Sequence, residues 1–259
     1  MLIAVAGGTG TAGRAVVAEA LARGHQVRIL SRHRPLELAS CVEHSVVDAF
    51  SGEGLADSLS GAAALVDTLD GKFGKAQKSL PGASARLLEA ARSAAVPRAV
   101  LLSIIGSDQS SYSYYQTQAE RASLYLADDV GAVVYATQFH QLVGSIFASI
   151  PGVIPVIAGA SFQPVSVESV AVKILDAVEA GSVESDSGGS AAKVTRVAGP
   201  ELLSMDELAA QWKAAGNRGL RLRMPLPGEF GRFLRSGKNL ALDAAEPGQT
   251  FAQWLVARS

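Results

Sequence analysis

Short apolar runs alternate with longer amphipathic segments through the first half of the chain. LIAV (2–5) reads as a strand, and TAGRAVVAEALARG (11–24) as a helix closed by Gly24. QVRILS (26–31) and HSVVD (44–48) read as the second and third strands, with a short helix over 53–60. AALVDT (63–68) is a fourth strand, and DGKFGKAQKSLPG (70–82), rich in glycine and lysine, reads as a loop. ASARLLEAARSAA (83–95) predicts a helix, RAVLLSI (98–104) a strand, YSYYQTQAERASLYLADD (112–129) a helix and GAVVYA (131–136) a sixth strand. The strands are continuous apolar runs rather than alternating ones, as a sheet covered on both faces requires. Strand–helix alternation implies parallel strands joined by right-handed crossovers. The expected fold is α/β, a doubly wound parallel sheet of the Rossmann type.

The second half is less regular. Residues 137–165 carry Gly and Pro punctuation and no long helical pattern. PVSVESVAVKILDAVEAG (164–181) reads as a strand end leading into a helix, and GSVESDSGGSAA (181–192) as a mobile Ser/Gly loop. KVTRVAG predicts a strand. SMDELAAQWKAAG (204–216) opens with Ser204 three residues before Glu207, a capping-box pattern. LRLRMPLP alternates like a strand, and FAQWLVARS predicts a terminal helix. The expected division is a dinucleotide-binding core over 1–135 and a small substrate-capping region over 136–259, with 164–181 packing back on the core.

Composition narrows the function classes. The 259 residues are 48% hydrophobic with a formal net charge of −1, and Lys and Arg are scattered. No basic stripe argues for nucleic acid, and no cluster argues for a membrane surface. The expected partner is a small-molecule substrate. The apolar N-terminal run is too short for a signal peptide or a span. The single cysteine, Cys41, excludes an internal disulfide and fits a reducing compartment, so the expected location is cytoplasmic. The four histidines share no metal-ligand spacing, and no metal is expected.

The first candidate site is AVAGGTGTAG. Gly7, Gly10 and Gly13 follow a strand and open a helix, with Thr9, Thr11 and Ala12 between and beside them. Glycines at this spacing permit a tight turn and close backbone approach to a pyrophosphate, which the helix N-terminus attracts. The bland reading is a tight strand–helix turn without a ligand. The end of the second strand discriminates between cofactors. NAD calls for an acidic residue there. The sequence has Ser31, Arg32 and Arg34 instead, and a guanidinium matches a 2′-phosphate in a bidentate manner. NADP(H) is therefore the expected cofactor, with Arg32 the better candidate; a solvated arginine pair is the competing reading. Asp48, ending the third strand, is a candidate for the adenine edge or a turn former.

Several pieces in order resemble the atypical or extended short-chain dehydrogenase/reductases, near the NmrA-like group. They are GGTGTAGRAVVAEALARGHQVRILSR, GASARLLEAARSAAVPRAVLLSIIG, YYQTQAE, ATQFHQLV, QPVSVESVA and AGPELLSMDEL. The resemblance implies a catalytic Ser/Thr, a Tyr, and a Lys four residues after the Tyr. Ser103 falls at the serine position and Tyr114 at the tyrosine position. The lysine position is Gln118, where the pattern breaks.

A free tyrosine has a pKa near ~10. A cation about 5 Å away at an effective dielectric of about 20 stabilises the phenolate by roughly 3 kcal/mol, about two pKa units. Glutamine can hydrogen-bond a ribose hydroxyl but supplies no such charge. Tyr114 is then a poor base for alcohol oxidation, though it can still donate a proton to a carbonyl oxygen receiving hydride. Lys72, Lys75 or Lys78, from the segment after the fourth strand, are alternative cations. Tyr112 and Tyr115 read as packing or solvent-facing residues.

The same resemblance makes Thr137, Gln138, Phe139 and His140 candidates for cofactor or substrate contact, with His140 an alternative proton donor or simply a hydrogen-bonded pocket histidine. Asp67 and Thr68 end the fourth strand, where the cofactor is flanked; Asp67 could instead cap the next turn. Phe162, Gln163 and Pro164 read as a pocket wall, and Trp212 and Trp254 as packing. The implied function is NADPH-dependent reduction with Tyr114 as proton donor, and the scarcity of charges over 137–165 points to a small, fairly apolar carbonyl, quinone or enone as substrate. The alternative is a catalytically inactive NADP(H)-binding redox sensor of the NmrA-like kind. A sugar epimerase needs reversible oxidation, the direction most harmed by Gln118.

Overall fold

The computed structural model describes residues 1–35, 38–180 and 192–258. The Ser/Gly segment expected over 181–192 lies almost wholly outside the described residues. In chain order the elements are β1 (Leu2–Ala6), α1 (Thr11–Ala22), β2 (Gln26–Ser31), β3 (Val42–Val46), α2 (Leu55–Ser58), β4 (Ala64–Asp67), α3 (Gly74–Ser93), β5 (Ala99–Ile104), α4 (Ser113–Ala127) and β6 (Gly131–Ala136). They continue with α5 (His140–Phe147), β7 (Val153–Ile157), β8 (Ser161–Phe162), α6 (Val167–Ala180), β9 (Val194–Val197), β10 (Leu203–Ser204), α7 (Met205–Ala214), β11 (Leu220–Met224), α8 (Gly228–Arg235) and α9 (Phe251–Val256).

Seven strands form one sheet in the order β3-β2-β1-β4-β5-β6-β9. The pairings β1–β2, β1–β4, β2–β3 and β4–β5 are parallel, with Val5 opposite both Ile29 and Val66. This is the doubly wound Rossmann-like α/β architecture expected from the strand–helix alternation. The order reverses direction between β1 and β4, so the crevice where such sheets bind ligands opens beyond the ends of those two strands.

The chain divides into two compact units. The first comprises Met1–Ser103, Thr117–Tyr135 and Val170–Thr195, and the second Ile104–Gln116, Ala136–Ser169 and Arg196–Ser259. In the first unit Ala4, Ala6, Leu30, Leu65, Leu101 and Val133 from the strands meet Leu55, Ala83, Leu87, Ala91, Ala122 and Tyr125 from the helices. Burying side chains of that size contributes about 1.5–3 kcal/mol each for the larger aliphatics. The second unit has its own core of Val143, Phe147, Ile154, Val156, Met205, Leu208, Phe251 and Trp254. Two small sheets support it, β8 with β10 antiparallel and β7 with β11 parallel. Ser204 caps α7 through a reciprocal capping box with Glu207, as its spacing predicts.

Three boundaries differ from the sequence reading. The third strand lies at Val42–Val46, earlier than 44–48, because its pairing with β2 starts at Val27–Val42. The short helix is trimmed to Leu55–Ser58. The stretch 70–82 is not all loop, since α3 begins at Gly74 and carries Pro81 inside it. Gly74, Lys75, Ala76 and Lys78 are exposed, and the buried stripe starts only at Leu80. Without apolar residues the first turns leave no periodic signal, and propagation from the buried part costs little once a helix is nucleated.

A candidate dinucleotide and reductase site

The loop after β1 is built for close approach. Gly7 adopts φ 76°, a left-handed conformation that L side chains disfavour. A Cβ on Gly13 would sit 2.2 Å from the Gly7 carbonyl oxygen and 2.7 Å from the Gly8 Cα. Only hydrogen fits there, so α1 packs directly on the turn. Gly10 is the N-cap of α1 and offers no side-chain cap, and the first turn holds no acidic residue. Thr11 and Ala12, with Gly13, therefore open the helix with uncapped backbone N–H groups. Such a terminus fits an anionic group. Thr9 accepts the Arg14 Nε–H on its carbonyl at 2.8 Å, which braces the turn from outside.

The wall of this turn comes from β4. The Thr68 hydroxyl donates to the Ala6 carbonyl at 2.8 Å, and the Thr68 backbone lies against Gly7. Thr68 thus stands at the reversal of strand order, beside the glycine turn.

Ser31, Arg32 and Arg34 follow the end of β2, and both arginines are exposed. The Ser31 hydroxyl donates to the His33 carbonyl at 2.8 Å and meets His44 Nε2 at 2.9 Å. Partial burial, and then the positive charge of Arg34, hold the His44 imidazole below its ordinary pKa. Among the described residues, none of Ser31 to Pro35 at the end of β2 is acidic. Asp48 accepts from the Phe50 backbone N–H at 2.9 Å, the bond of a turn former.

The Asp67 carboxylate is taken up by four partners. It is fully buried and accepts from Arg121 Nη2 at 2.9 Å, Ser84 Oγ at 2.8 Å, Tyr125 OH at 3.1 Å and the Leu69 backbone N–H at 3.0 Å. The bond to Leu69 is the turn cap read as its alternative. The other three partners were not legible. Burial and the Asp67 carboxylate hold the Tyr125 phenol well above its ordinary pKa, so it remains a donor.

Arg121 completes this group. Its Nε donates to Ser84 Oγ at 2.9 Å, and its Nη1 to the Leu69 carbonyl at 3.0 Å and to Gln118 Oε1 at 2.8 Å. Gln118, at the lysine position, is 3% exposed. Ser103 is buried at the end of β5, and its hydroxyl donates to the Gln118 backbone carbonyl at 3.3 Å. The serine position and the lysine position are therefore joined within the first unit. Lys72, Lys75 and Lys78 are all exposed.

In the second unit the tyrosines separate by environment. Tyr112 is 37% exposed, with its ring 4.6 Å from that of Phe230. Tyr115 is buried, with its ring 5.3 Å from Phe233, and burial together with Tyr112 pushes its phenol up to about 12. Tyr114 is half-buried, edge-on to both neighbours, and stands one helical turn before Gln118 on α4. The Thr137 hydroxyl donates to the Gln163 carbonyl at 2.6 Å, and the Gln138 amide to the Asn239 carbonyl at 2.9 Å. Phe139 is the N-cap of α5 and bridges to Val165. His140 is fully buried, its Nε2 facing the Gln249 carbonyl at 2.9 Å, and its Nδ1 has no partner. Its only N–H is thereby committed to a backbone oxygen, and burial holds its pKa below the ordinary value. Trp254 packs against Phe251 and His140, and Trp212 against Phe147. Among the described residues no cluster of His, Cys, Asp or Glu could hold a metal ion, and no helix is long and apolar enough to cross a membrane.

Sheet order and the glycine turn together define a dinucleotide-binding α/β protein. A family model described as NAD(P)H-binding matches residues 7–138, and the chain belongs to that family. No curated protein sequence matches the chain. Three solved structures share its fold over nearly its whole length. The NADPH-dependent quinone oxidoreductase of Escherichia coli is 17% identical, covers 99% of each chain and superposes with a TM-score of 0.73. The UDP-N-acetylglucosamine 4-epimerase of Bacillus cereus is 16% identical, over 100% of this chain and 96% of its own, with a TM-score of 0.70. A short-chain dehydrogenase/reductase superfamily protein of Agrobacterium tumefaciens with bound NAD is 16% identical, over 100% and 95%, with a TM-score of 0.71. At these identities the likeness is one of fold.

Proposed function

We propose that the protein is an NADPH-dependent reductase of a small, fairly apolar carbonyl, quinone or enone, with Tyr114 as the proton donor. The observation that carries this reading is the bond from Ser103 to the Gln118 carbonyl, which holds β5 and α4 together one helical turn after Tyr114. Bound NADPH supplies a hydride. The residues supply the rest. Gly7, Gly10 and Gly13 admit the pyrophosphate, and Thr9, Thr11 and Ala12 present backbone groups to it. Ser31, Arg32 and Arg34 receive the 2′-phosphate, with His44 beside them. Ser103 orients the substrate oxygen when its hydroxyl turns its proton from the Gln118 carbonyl to that oxygen, and the Tyr114 phenol donates its proton there before being reprotonated from water. Gln118 donates to the nicotinamide ribose in place of a lysine. The E. coli quinone oxidoreductase, whose fold the chain shares, supports the choice of acceptor class.

The sensor reading keeps one observation in its favour. The buried cation bonded to Gln118, Arg121, is paired with Asp67. Titration with NADPH and NADH, followed by a carbonyl and quinone screen, separates the two. A reductase binds NADPH at least tenfold tighter than NADH and consumes it with an acceptor. Binding without turnover over the whole screen supports the sensor, and binding of neither nucleotide sinks both.

A further inference from the structure

Gln118 stands where the sequence pattern calls for a cation, yet a cation lies directly behind it. Arg121 is three residues further along α4, fully buried, and donates through Nη1 to Gln118 Oε1 at 2.8 Å. An arginine side chain can only donate, so this bond fixes which end of the Gln118 carboxamide is oxygen. The N–H2 end then faces away from Arg121. The residue as a whole is 97% buried, with its carboxamide oxygen committed to Arg121.

Arg121 is itself held without slack. Asp67 neutralises its charge at 2.9 Å, Ser84 receives Nε, and the Leu69 carbonyl receives Nη1. Asp67 and Leu69 flank Thr68, whose backbone lies against Gly7. The same guanidinium thus grips the segment after β4, beside the glycine turn, and the Gln118 side chain on α4.

We propose that Arg121 is a positioning residue for the cofactor. Clamped by Asp67, it orients the Gln118 carboxamide so that its N–H2 group donates to a hydroxyl or carbonyl oxygen on the nicotinamide-ribose half of NADPH. This rests on the cofactor reading above and adds a residue that acts through another. The lysine's hydrogen-bonding role is kept and its charge withheld, because the charge is consumed by Asp67 on the buried side.

The test compares two probes, NADPH and adenosine 2′,5′-bisphosphate, which lacks the nicotinamide-ribose half. Dissociation constants are measured by calorimetry for the native protein, Gln118→Glu, Gln118→Ala, Arg121→Lys and Gln118→Ala/Arg121→Lys, with thermal unfolding alongside. Gln118→Glu keeps the acceptor for Arg121 and loses the donor. It should bind NADPH about tenfold more weakly and the bisphosphate unchanged. Arg121→Lys should weaken NADPH alone by about tenfold in the native background and by nothing further when Gln118 is already alanine. If Arg121→Lys does not fold, Asp67→Asn/Arg121→Gln carries the same comparison, since it removes both buried charges and keeps polar groups. Equal losses for both probes, or an Arg121 effect undiminished without Gln118, overturn the proposal and leave a merely structural arginine. A native protein that binds neither probe overturns the cofactor reading and this inference with it. A native protein that binds both, with NADPH affinity unmoved by Gln118→Glu, overturns this inference alone.

Discussion

The Arg121 guanidinium donates to the Asp67 carboxylate at 2.9 Å, and both side chains are fully buried. Ser84, Tyr125 and the Leu69 backbone complete the bonding of the carboxylate. Taking either charge out of water is costly, and a network satisfied at this many positions offsets that cost. Removing one partner leaves the other charged, buried and unpaired. Arg121→Met should therefore destabilise the protein by about 3–5 kcal/mol. Asp67→Asn/Arg121→Gln should cost less than the sum of its single substitutions. Denaturant unfolding monitored by circular dichroism decides this, and a loss below about 1 kcal/mol for Arg121→Met would show that water reaches the pair.

Gly13 is constrained by approach rather than by its dihedral angles. A methyl group there would meet the Gly7 carbonyl and the Gly8 Cα, both backbone atoms with no rotamer to give way. Gly13→Ala should push α1 off the turn and weaken NADPH binding by more than about tenfold, an orientation effect of the kind a small misplacement produces. At Gly24, by contrast, nothing lies within 4 Å of an added Cβ, and the cost of Gly24→Ala is the strain of its φ of 77°. Gly24→Ala should lower the melting temperature and leave the NADPH dissociation constant within twofold. A Gly13→Ala protein with native affinity would remove the turn from the cofactor site.

These two relationships mark what was legible in the sequence. The glycine turn could be read because it is local, a fixed spacing between a strand and a helix. The doubly wound parallel sheet could be read because buried parallel strands are continuous apolar runs that alternate with helices. Ser103, Tyr114 and Gln118 could be singled out as candidates by position within an ordered set of segments. Arg121 was not, although the signal existed. In QAERAS it stands three residues after Gln118 and so on the same helix face, but a charged residue in a polar stretch looks solvated. Its burial depends on Asp67 and Ser84, which lie 54 and 37 residues away in the chain. The first turns of α3 were missed for the opposite reason: they bury nothing, so no pattern records them.

His140 gives the fold a sensitivity to acid. Burial holds its imidazole below the ordinary value, and its one N–H serves the Gln249 carbonyl. The unfolded chain binds a proton as pH falls through about 6.5, while the native state resists until its lower value is reached. Over that window the unfolded state holds more protons, so stability falls with decreasing pH, by at most about 1.4 kcal/mol per unit for one group. Above the window the contribution is constant. Melting temperatures of the native protein and of His140→Gln, measured from pH 8 downward, should converge in slope above about 7. Below about 6.5 the native protein should fall more steeply. Parallel curves throughout would mean that the imidazole titrates alike in both states.

Tyr114 and Tyr115 are adjacent in sequence and should differ in chemistry. Tyr115 lies in the second unit's core against Phe233, with its phenol pushed up to about 12. A hydroxyl that resists ionisation to that degree serves packing. Tyr114 is half-buried and shares a helix face with Gln118 one turn on. With an acceptor identified, Tyr114→Phe should lower turnover by about a hundredfold or more, the typical contribution of a positioned general acid. NADPH affinity should stay the same, since the phenol acts on the substrate oxygen. Tyr115→Phe should leave turnover within a few fold. Glutamine in place of lysine at position 118 adds a directional expectation. Reduction should outpace oxidation of the product alcohol across neutral pH, because only the second needs the phenolate. Steady-state rates in both directions at matched saturation test this. Comparable rates at pH 7, or turnover surviving Tyr114→Phe and lost in Tyr115→Phe, would assign the proton transfer to another group.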